Sequence, residues 1–202
     1  MKLYYTPGAC SLSPHIALRE AKLPFELVRV DLRAKQTEHG ASFLEITSKG
    51  YVPALGLDNG QLITEGAAIV QYIADLVPDA ELAPRPGTFA RVQLHEWLTF
   101  IATELHKGFG SISNPKASED LKQAIRQRLD LRFGFLARAV ATTPYLLGQS
   151  FSVADGYAYY TLRNLRQLDA NAVDQSRALK AYFERVESRP AVRTALTAEG
   201  LS

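Results

Sequence analysis

The chain changes character at a proline-rich segment, and this change constrains the fold more than any other feature. Before it, residues 1–80 alternate between short strand-like and helix-like stretches. Three prolines then fall within residues 78–86, which is typical of a linker. Beyond residue 88 we find only helical patterns. We therefore predict an α/β domain over residues 1–80, a linker over 81–87 and an all-helical domain over 88–202.

The first 80 residues predict the element order β-α-β-α-β-β-α. Leu3-Tyr4-Tyr5 and the period-two alternation of residues 25–30 indicate the first two strands. Two more strands flank Asp58-Asn59-Gly60, because Asn-Gly tolerates the positive φ angles of a hairpin turn. Thr64 is the expected N-cap of the third helix. A parallel crossover followed by a hairpin predicts a mixed four-stranded sheet with helices on its faces. The predicted helices cover residues 14–22, 41–46 and 65–76.

The second part carries apolar stripes at helical spacing. One stripe includes Leu94, Leu98 and Leu105, and we place Trp97 with it as a core residue. Another helix starts after Ser118 as N-cap and runs to about Val140. Ser152 and Asp155 form a capping box, which we assign to folding rather than to chemistry. Further helices are expected to begin near Val153, Ser176 and Ala191.

Composition excludes several classes of function. The 23 Lys and Arg residues nearly balance 21 Asp and Glu residues, and no basic block stands out, so we expect no nucleic-acid partner. No apolar run approaches the roughly 20 residues of a membrane-spanning helix. No signal peptide is visible. One cysteine allows no intrachain disulfide, and together these features predict a cytoplasmic protein.

Cys10, the single cysteine, follows the first strand and a Pro7-Gly8 turn. Ser11 and Ser13 are suitable N-caps, and Pro14 suits the first position of a helix. A thiol at a helix N-terminus meets unpaired N–H groups and the positive end of the helix dipole, and both favour the thiolate. A buried structural cysteine is the alternative, but the flanking residues are not a continuous apolar run. We therefore predict a functional thiol.

Four motifs now occur in a specific order along the chain: Cys10, Val52-Pro53, Thr64-Glu65-Gly66 and the capping box of residues 152–155. In this order the chain resembles the cytosolic glutathione transferases. Cys10 together with Thr103-Glu-Leu-His-Lys107 is similar to the bacterial beta class. The resemblance runs essentially end to end. It implies a thioredoxin-like domain joined to an all-helical one, usually in a homodimer with glutathione in the cleft between the domains.

The resemblance also implies roles for residues of the first domain. Cys10 is expected next to the glutathione sulfur, and Lys35 at the glycine end of the tripeptide. Val52, before a cis-Pro53, offers its backbone N–H and C=O to the cysteinyl part. Glu65-Gly66 is expected to hold the γ-glutamyl part, although an acidic residue at a helix N-terminus also offsets the helix dipole.

In the helical domain, the resemblance implies that Thr103, Glu104 and His106 complete the site, some of it across the dimer interface. Thr99 stands where relatives often carry asparagine, so we expect a weaker or lost contact there. On an ideal helix Thr99, Thr103 and His106 share one face, which is either solvated or turned to the ligand. We favour a His106 that donates to the sulfur or polarises the substrate.

Other candidates are weaker. Tyr5 and Ser11 are reserve contacts to the glutathione thiol, because sister classes use tyrosine or serine there. We predict no metal, since the histidines show no ligand spacing with one another or with Cys10. The pocket for the electrophile is not defined by the sequence, and its candidates are Phe109, Ser111 and Tyr160.

We predict transfer of reduced glutathione to small electrophilic, largely apolar compounds, as in detoxification. Cys10 either stabilises the glutathione thiolate by a hydrogen bond or is itself the nucleophile of thiol–disulfide exchange. In the second case it forms a mixed disulfide without a resolving partner and supports a reductase or peroxidase side activity. A scaffold protein that has lost catalysis, and a specialised dehalogenase or isomerase, are the alternatives.

Overall fold

The computed structural model describes residues 1–202 and contains two compact units. The first unit comprises Met1–Ala83 and Ser188–Ser202, and the second comprises Pro84–Glu187. Up to residue 83 the elements are β1 (Lys2–Tyr5), α1 (Leu12–Glu20), β2 (Glu26–Asp31), β3 (Gln36–Thr37), α2 (Phe43–Ile46), β4 (Ala54–Gly56), β5 (Leu62–Thr64), α3 (Gly66–Leu76) and a 3₁₀ turn (Pro78–Ala80). The later helices are α4 (Phe89–Phe100), a π-helical segment (Ile101–His106), α5 (Lys107–Ile112), α6 (Glu119–Ala139), α7 (Val153–Leu168), α8 (Arg177–Glu187) and α9 (Pro190–Ala198).

A mixed sheet with the order β3-β2-β1-β4-β5 forms the base of the first unit. Strand β1 is parallel to β2 and antiparallel to β4, with Leu3 opposite Leu27 on one side and Leu55 on the other. Strands β4 and β5 form the predicted hairpin, and Gly60 takes a φ of 85° in its turn. The parallel crossover and the hairpin are therefore confirmed.

The sheet has five strands, so the predicted number of four was wrong. The extra strand is β3, which pairs antiparallel with the end of β2 through Val30–Thr37 and Asp31–Gln36. Two residues are too few to show the period-two alternation from which a strand is recognised. The connection between β2 and α2 therefore gave no strand signal in the sequence.

Alternate residues of the strands pack on opposite faces of this sheet. Leu3 of β1 is fully buried, whereas Tyr4 packs its ring against Phe43 at 5.7 Å between centroids. Phe43 belongs to a buried cluster with Val30 and Val52. The cluster also includes Ala54, so the residues on both sides of Pro53 are anchored in the core.

The last helix, α9, packs against α1 in the first unit. At its end Glu199 bonds to the imidazole Nδ1 of His15 at 2.8 Å, and both side chains are fully buried. The second carboxylate oxygen of Glu199 accepts the N–H of Gly8 at 2.9 Å. Residues 188–202 thus pack with the α/β part of the chain, although the prediction includes them in the helical domain of residues 88–202. Compact units need not coincide with domains, so the predicted boundaries stay a prediction.

The second unit is entirely helical. Ser118 caps α6 by accepting the N–H of Leu121, as predicted. The capping box of Ser152 and Asp155 begins α7, and Asp155 also accepts a hydrogen bond from the Tyr182 hydroxyl at 2.8 Å. These caps satisfy N–H groups that the first helical turn cannot pair internally.

Trp97 differs from its predicted place in the core. Its ring is half-buried on the surface of α4 and packs against Phe100 and Phe135, with centroids 5.8 and 5.7 Å away. Trp97 directly precedes the buried Leu98 in the sequence, so it lies beside the buried stripe of α4 and is not part of it. None of the helices combines the length and the apolar character that crossing a membrane requires.

Candidate functional site

Cys10 lies in a tight turn between β1 and α1. The N–H of Ala9 bonds to the carbonyl of Thr6, and the Ser11 hydroxyl bonds to the backbone of Thr6. Helix α1 begins at Leu12, so Pro14 is its third residue and not, as predicted, its first. A proline is tolerated there because the first turn has no internal acceptor for its N–H.

The Cys10 thiol lies against the loop that precedes β4. Its Sγ is 3.2 Å from the carbonyl oxygen of Val52, to which the thiol donates. The Val52–Pro53 peptide bond is cis, as the resemblance implied. The structure therefore brings together the thiol and the backbone of Val52, which were predicted to share one site.

The prediction that this position favours the thiolate was wrong for the free protein. Burial of the sulfur, the largest cause, and the negative charge of Glu65 together raise the pKa of Cys10 to about 11. Hydrogen bonds from the N–H groups of Cys10 and Ser11 lower the pKa, but they do not outweigh burial. At neutral pH the thiol is protonated and acts as a hydrogen-bond donor.

Glu65 and Gly66 stand at the start of α3, next to the same loop. Glu65 is the N-cap with a φ of 71°, so the helix begins one residue after the position expected from a Thr64 cap. A Cβ atom on Gly66 would lie 3.8 Å from the ring of Pro53, which shows how closely the helix start approaches this proline.

Lys49 and Tyr51 also belong to this region, and sequence reasoning missed them. The Lys49 ammonium and the Tyr51 hydroxyl both donate to the same oxygen of Glu65, at 2.5 and 2.7 Å. Their position just before Val52-Pro53 was the signal that could have indicated them. They hold the exposed Glu65 carboxylate in one orientation.

Lys35 approaches the loop from another part of the chain. Its Nζ donates to the carbonyl of Gly50 at 2.6 Å. The two reserve residues are engaged elsewhere in the first unit. Tyr5 packs its ring beside His15 at 6.4 Å between centroids, and burial raises its pKa. Ser11 is fully buried and bonded to the backbone of Thr6.

The candidate residues of the second unit lie on or next to the π-helical segment. Thr99 and Thr103 are exposed, and the Thr103 hydroxyl donates to the Thr99 carbonyl at 2.9 Å. The carboxylate of Glu104 accepts hydrogen bonds from two arginines of α6. Arg128 contacts both of its oxygens at 2.9 Å, and Arg132 contacts one of them at 2.6 Å. These two guanidinium groups hold the pKa of Glu104 below its usual value.

His106 turns toward a different helix. Its Nδ1 is 2.8 Å from the Tyr157 hydroxyl, and its Nε2 is 3.4 Å from the Tyr160 hydroxyl. Burial lowers the pKa of His106, and the charge of Lys107 acts in the same direction. Glu104 and His106 therefore contact α6 and α7 respectively, as expected for side chains two positions apart on a helix, which point to different sides. The predicted single face of this helix assumed α-helical geometry, which the π segment replaces.

No group of three or more His, Cys, Asp or Glu side chains is arranged to hold a metal ion. The candidate residues themselves offer a neutral thiol, a neutral imidazole, backbone amides and fixed charges. Such groups can bind a polar peptide and stabilise a thiolate by hydrogen bonds.

Comparison with known proteins gives the family. Residues 8–76 match the family model of the glutathione S-transferase N-terminal domain, and residues 100–190 match that of the C-terminal domain. Glutathione S-transferase GstA of Escherichia coli O157:H7 is 43% identical over the full length of both chains. A disulfide-bond oxidoreductase of Escherichia coli K12, YfcG, is 28% identical over 96% of this chain and 93% of its own.

Solved structures agree with these matches. The ternary complex of BphK, a bacterial glutathione transferase, is 52% identical with a TM-score of 0.94. A sphingomonad glutathione S-transferase complexed with glutathione, and the beta-class enzyme of Sphingomonas chungbukensis, are each 42% identical with TM-scores of 0.93. All three cover the whole of both chains. The predicted resemblance is therefore confirmed, and this chain belongs to the glutathione S-transferase family, with bacterial beta-class enzymes among its relatives.

Proposed function

We propose that the chain binds reduced glutathione in its first unit and transfers it to small electrophilic, largely apolar compounds. The observation that carries this proposal is the contact of the Cys10 thiol with the Val52 carbonyl, 3.2 Å away, beside the Glu65 carboxylate. A protonated thiol is a donor that can turn from this carbonyl to an incoming sulfur. The carbonyl then accepts the peptide N–H of the cysteinyl part.

Fixed charges on two sides of the loop suit the two ends of the tripeptide. The Glu65 carboxylate, bonded to Tyr51, attracts the ammonium of the γ-glutamyl part. The N–H groups that open α3 at Gly66 suit its carboxylate. Lys35, bonded to Gly50 in the same loop, is placed to attract the glycine carboxylate. These contacts fix the sulfur of glutathione beside Cys10.

In the reaction, the glutathione thiol releases its proton to solvent on binding, and the Cys10 S–H donates a hydrogen bond to the resulting thiolate. The thiolate then attacks the electrophilic carbon and forms the new carbon–sulfur bond. The leaving group, such as a halide, departs with the electron pair of its broken bond. Cys10 keeps its own proton throughout, which agrees with its raised pKa.

The test compares Cys10→Ala with Cys10→Ser in a chromogenic aryl-halide assay. Serine retains an O–H donor and alanine does not, so we expect Cys10→Ser to keep more conjugation activity than Cys10→Ala. Retention on immobilised glutathione is measured for both. Failure of the wild-type chain to bind glutathione would overturn the proposal. Binding without turnover of any electrophile would favour the scaffold alternative.

Thiol–disulfide exchange through Cys10 is a second candidate, because a relative is named a disulfide-bond oxidoreductase. A pKa of about 11 leaves little thiolate at neutral pH, so we propose this as a side activity. The single cysteine suits a reducing compartment, and we propose the cytoplasm. Reduction of a small glutathione mixed disulfide should disappear in both Cys10 variants, and its persistence would exclude Cys10 as the nucleophile.

We further propose that two copies associate through a groove between α4 and α6. This groove, of about 680 Å³, contains Trp97, Phe100 and Phe135, and Leu131 at its edge is 71% exposed. Its remaining lining residues carry both signs of charge: Glu96, Glu104, Arg132 and Arg138. A twofold interface brings the same patch of both copies together, and mixed charges make such a patch self-complementary.

Light scattering coupled to size-exclusion chromatography tests this dimer. Leu131→Glu places a charge on the groove and should shift the chain from dimer to monomer. Leu121→Glu is the matched control, since Leu121 is an exposed leucine of the same helix outside the groove. A monomeric wild-type chain, or equal behaviour of the two variants, would contradict the assignment.

A further inference from the structure

His106 lies between two tyrosine side chains of the same helix. Tyr157 and Tyr160 are three positions apart on α7, so they share one face of it. Their rings meet the imidazole nearly edge-on, at 75° and 88°, with centroids 5.8 and 5.1 Å away. The Tyr157 hydroxyl contacts Nδ1 of the ring, and the Tyr160 hydroxyl contacts Nε2.

The two contacts are unequal. The Tyr157 oxygen is 2.8 Å from Nδ1, which is the usual length of a good hydrogen bond, whereas the Tyr160 oxygen is 3.4 Å from Nε2. A neutral imidazole has one lone pair and one N–H, so only one of the hydroxyls can donate to it. The shorter contact favours Tyr157 as that donor, and when Tyr157 donates to Nδ1 the proton of the imidazole is on Nε2.

We propose that Tyr157 is a positioning residue that fixes His106 as the Nε2–H tautomer. The proposal rests on the proposed function and on the prediction from the sequence that His106 donates to the glutathione sulfur or polarises the electrophile; the Nε2–H is the group assigned to that contact. Because the contact of Nε2 with the Tyr160 oxygen is long, the Nε2–H can leave it for a hydrogen bond to a stronger acceptor. With the other tautomer, Nε2 would carry a lone pair and would repel a thiolate.

Tyr157 is suited to this role because it is held firmly. Its side chain is only 4% exposed, and it follows the Ser152–Asp155 capping box by two residues. Asp155 accepts hydrogen bonds from Leu146 and Tyr182 as well, which anchors the first turn of α7. The imidazole therefore meets a donor whose position is set before any ligand arrives.

Nitrogen NMR of the free protein labelled with ¹⁵N-histidine tests the tautomer directly. The chain has four histidines, and His106→Gln identifies the signals of His106 by their loss. Above the depressed pKa of His106, the wild-type protein should show a pyrrole-like Nε2 and a pyridine-like Nδ1. A proton on Nδ1 in the wild-type protein would overturn the proposal.

Two isosteric variants separate the hydroxyls. In Tyr157→Phe only Tyr160 remains as a donor, it bonds to Nε2, and the proton should move to Nδ1. Tyr160→Phe, the matched control on the same helix, should leave the proton on Nε2. Unchanged nitrogen signals in Tyr157→Phe would also overturn the proposal.

Kinetics of the same variants test the consequence. We expect Tyr157→Phe to lower kcat about tenfold, part of the ~10²–10⁴-fold that a positioned acid or base supplies. The KM for glutathione should change little, and Tyr160→Phe should lower kcat less. An equal loss in both variants would contradict the special role of Tyr157. A wild-type chain without any transferase activity would refute the proposed function, whereas the nitrogen signals of the free protein would still decide the tautomer.

Discussion

Burial acts on the two central candidate residues, Cys10 in the first unit and His106 in the second, in opposite directions. It raises the pKa of the thiol and lowers the pKa of the imidazole, yet both groups become neutral. The contacts that hold the two residues in place differ. Cys10 lies in a turn bound by Glu199, while His106 lies on a helix between two phenols. The comparison shows that burial leaves each unit with a neutral hydrogen-bonding group, a thiol on a loop in the first unit and an imidazole on a helix in the second.

Removing Glu199, which anchors the turn that carries Cys10, should cause the largest loss of stability. Glu199→Ala leaves the buried His15 nitrogen and the N–H of Gly8 without their acceptor. At ~1–3 kcal/mol for each unsatisfied group, we expect the free energy of unfolding to fall by about 3 kcal/mol. Urea denaturation measures this loss. Glu184→Ala, an exposed position on α8, is the control and should stay within ~0.5 kcal/mol. Equal effects would show that Glu199 does not anchor the turn.

The two residues also differ in the charge near them. The carboxylate of Glu65 acts on Cys10, whereas no carboxylate contacts the His106 ring. In Glu65→Gln we expect glutathione to bind ~10–100-fold more weakly, because a hydrogen bond to a charged group contributes about 1.5–3 kcal/mol. The pKa of Cys10 should fall at the same time, as the Glu65 charge raises it. Calorimetry and thiol titration measure the two effects. Glu45→Gln, on the exposed face of α2, should change neither; unaltered glutathione affinity in Glu65→Gln would remove Glu65 from the site.

The sequence predicted those features that depend on neighbouring residues. The hairpin at Asn59-Gly60 and the capping box at Ser152 are set by local backbone preferences, so both could be recognised. The direction of the Cys10 pKa shift could not. It depends chiefly on burial of the sulfur and, to a smaller extent, on the charge of Glu65, and both arise only in the folded chain.

Packing beside the π segment offers a smaller test of the helical support. A Cβ atom on Gly108 of α5 would lie 2.9 Å from the buried Leu129 of α6, whereas one on Gly110 would meet nothing within 4 Å. We expect Gly108→Ala to lower the unfolding free energy by about 1 kcal/mol through overpacking. Gly110→Ala should raise it by ~0.5–1 kcal/mol, because alanine favours the helix. Thermal unfolding distinguishes the signs, and stabilisation by both would show that α5 is loosely packed on α6.

The same π segment marks another limit of sequence reasoning. We placed Thr99, Thr103 and His106 on one face by assuming 3.6 residues per turn, and nothing in residues 101–106 indicates a wider turn. Tyr157 was likewise not recognised, because its importance lies in the contact with His106, 51 positions away. Contacts between distant segments, not local patterns, define this part of the candidate site.

The neutral state of His106 predicts a small dependence of stability on pH. Its pKa is lower in the folded chain than the unperturbed value of 6.5, so the unfolded chain binds more protons as the pH falls through that range. Stability due to this residue is present above pH 6.5 and is lost below it. The wild-type protein should therefore lose more stability than His106→Gln between pH 7 and pH 5 in urea denaturation. An identical loss in both would mean that His106 is not held neutral.

The ionisation of Cys10 tests the central claim most directly, and the chain has no other cysteine to interfere. The rate of alkylation by iodoacetamide, or the ultraviolet absorbance of the thiolate, is followed as a function of pH in the free protein. Our account predicts a midpoint near pH 11. A midpoint near pH 7 would show a thiolate poised for attack and would contradict a neutral donor at this site.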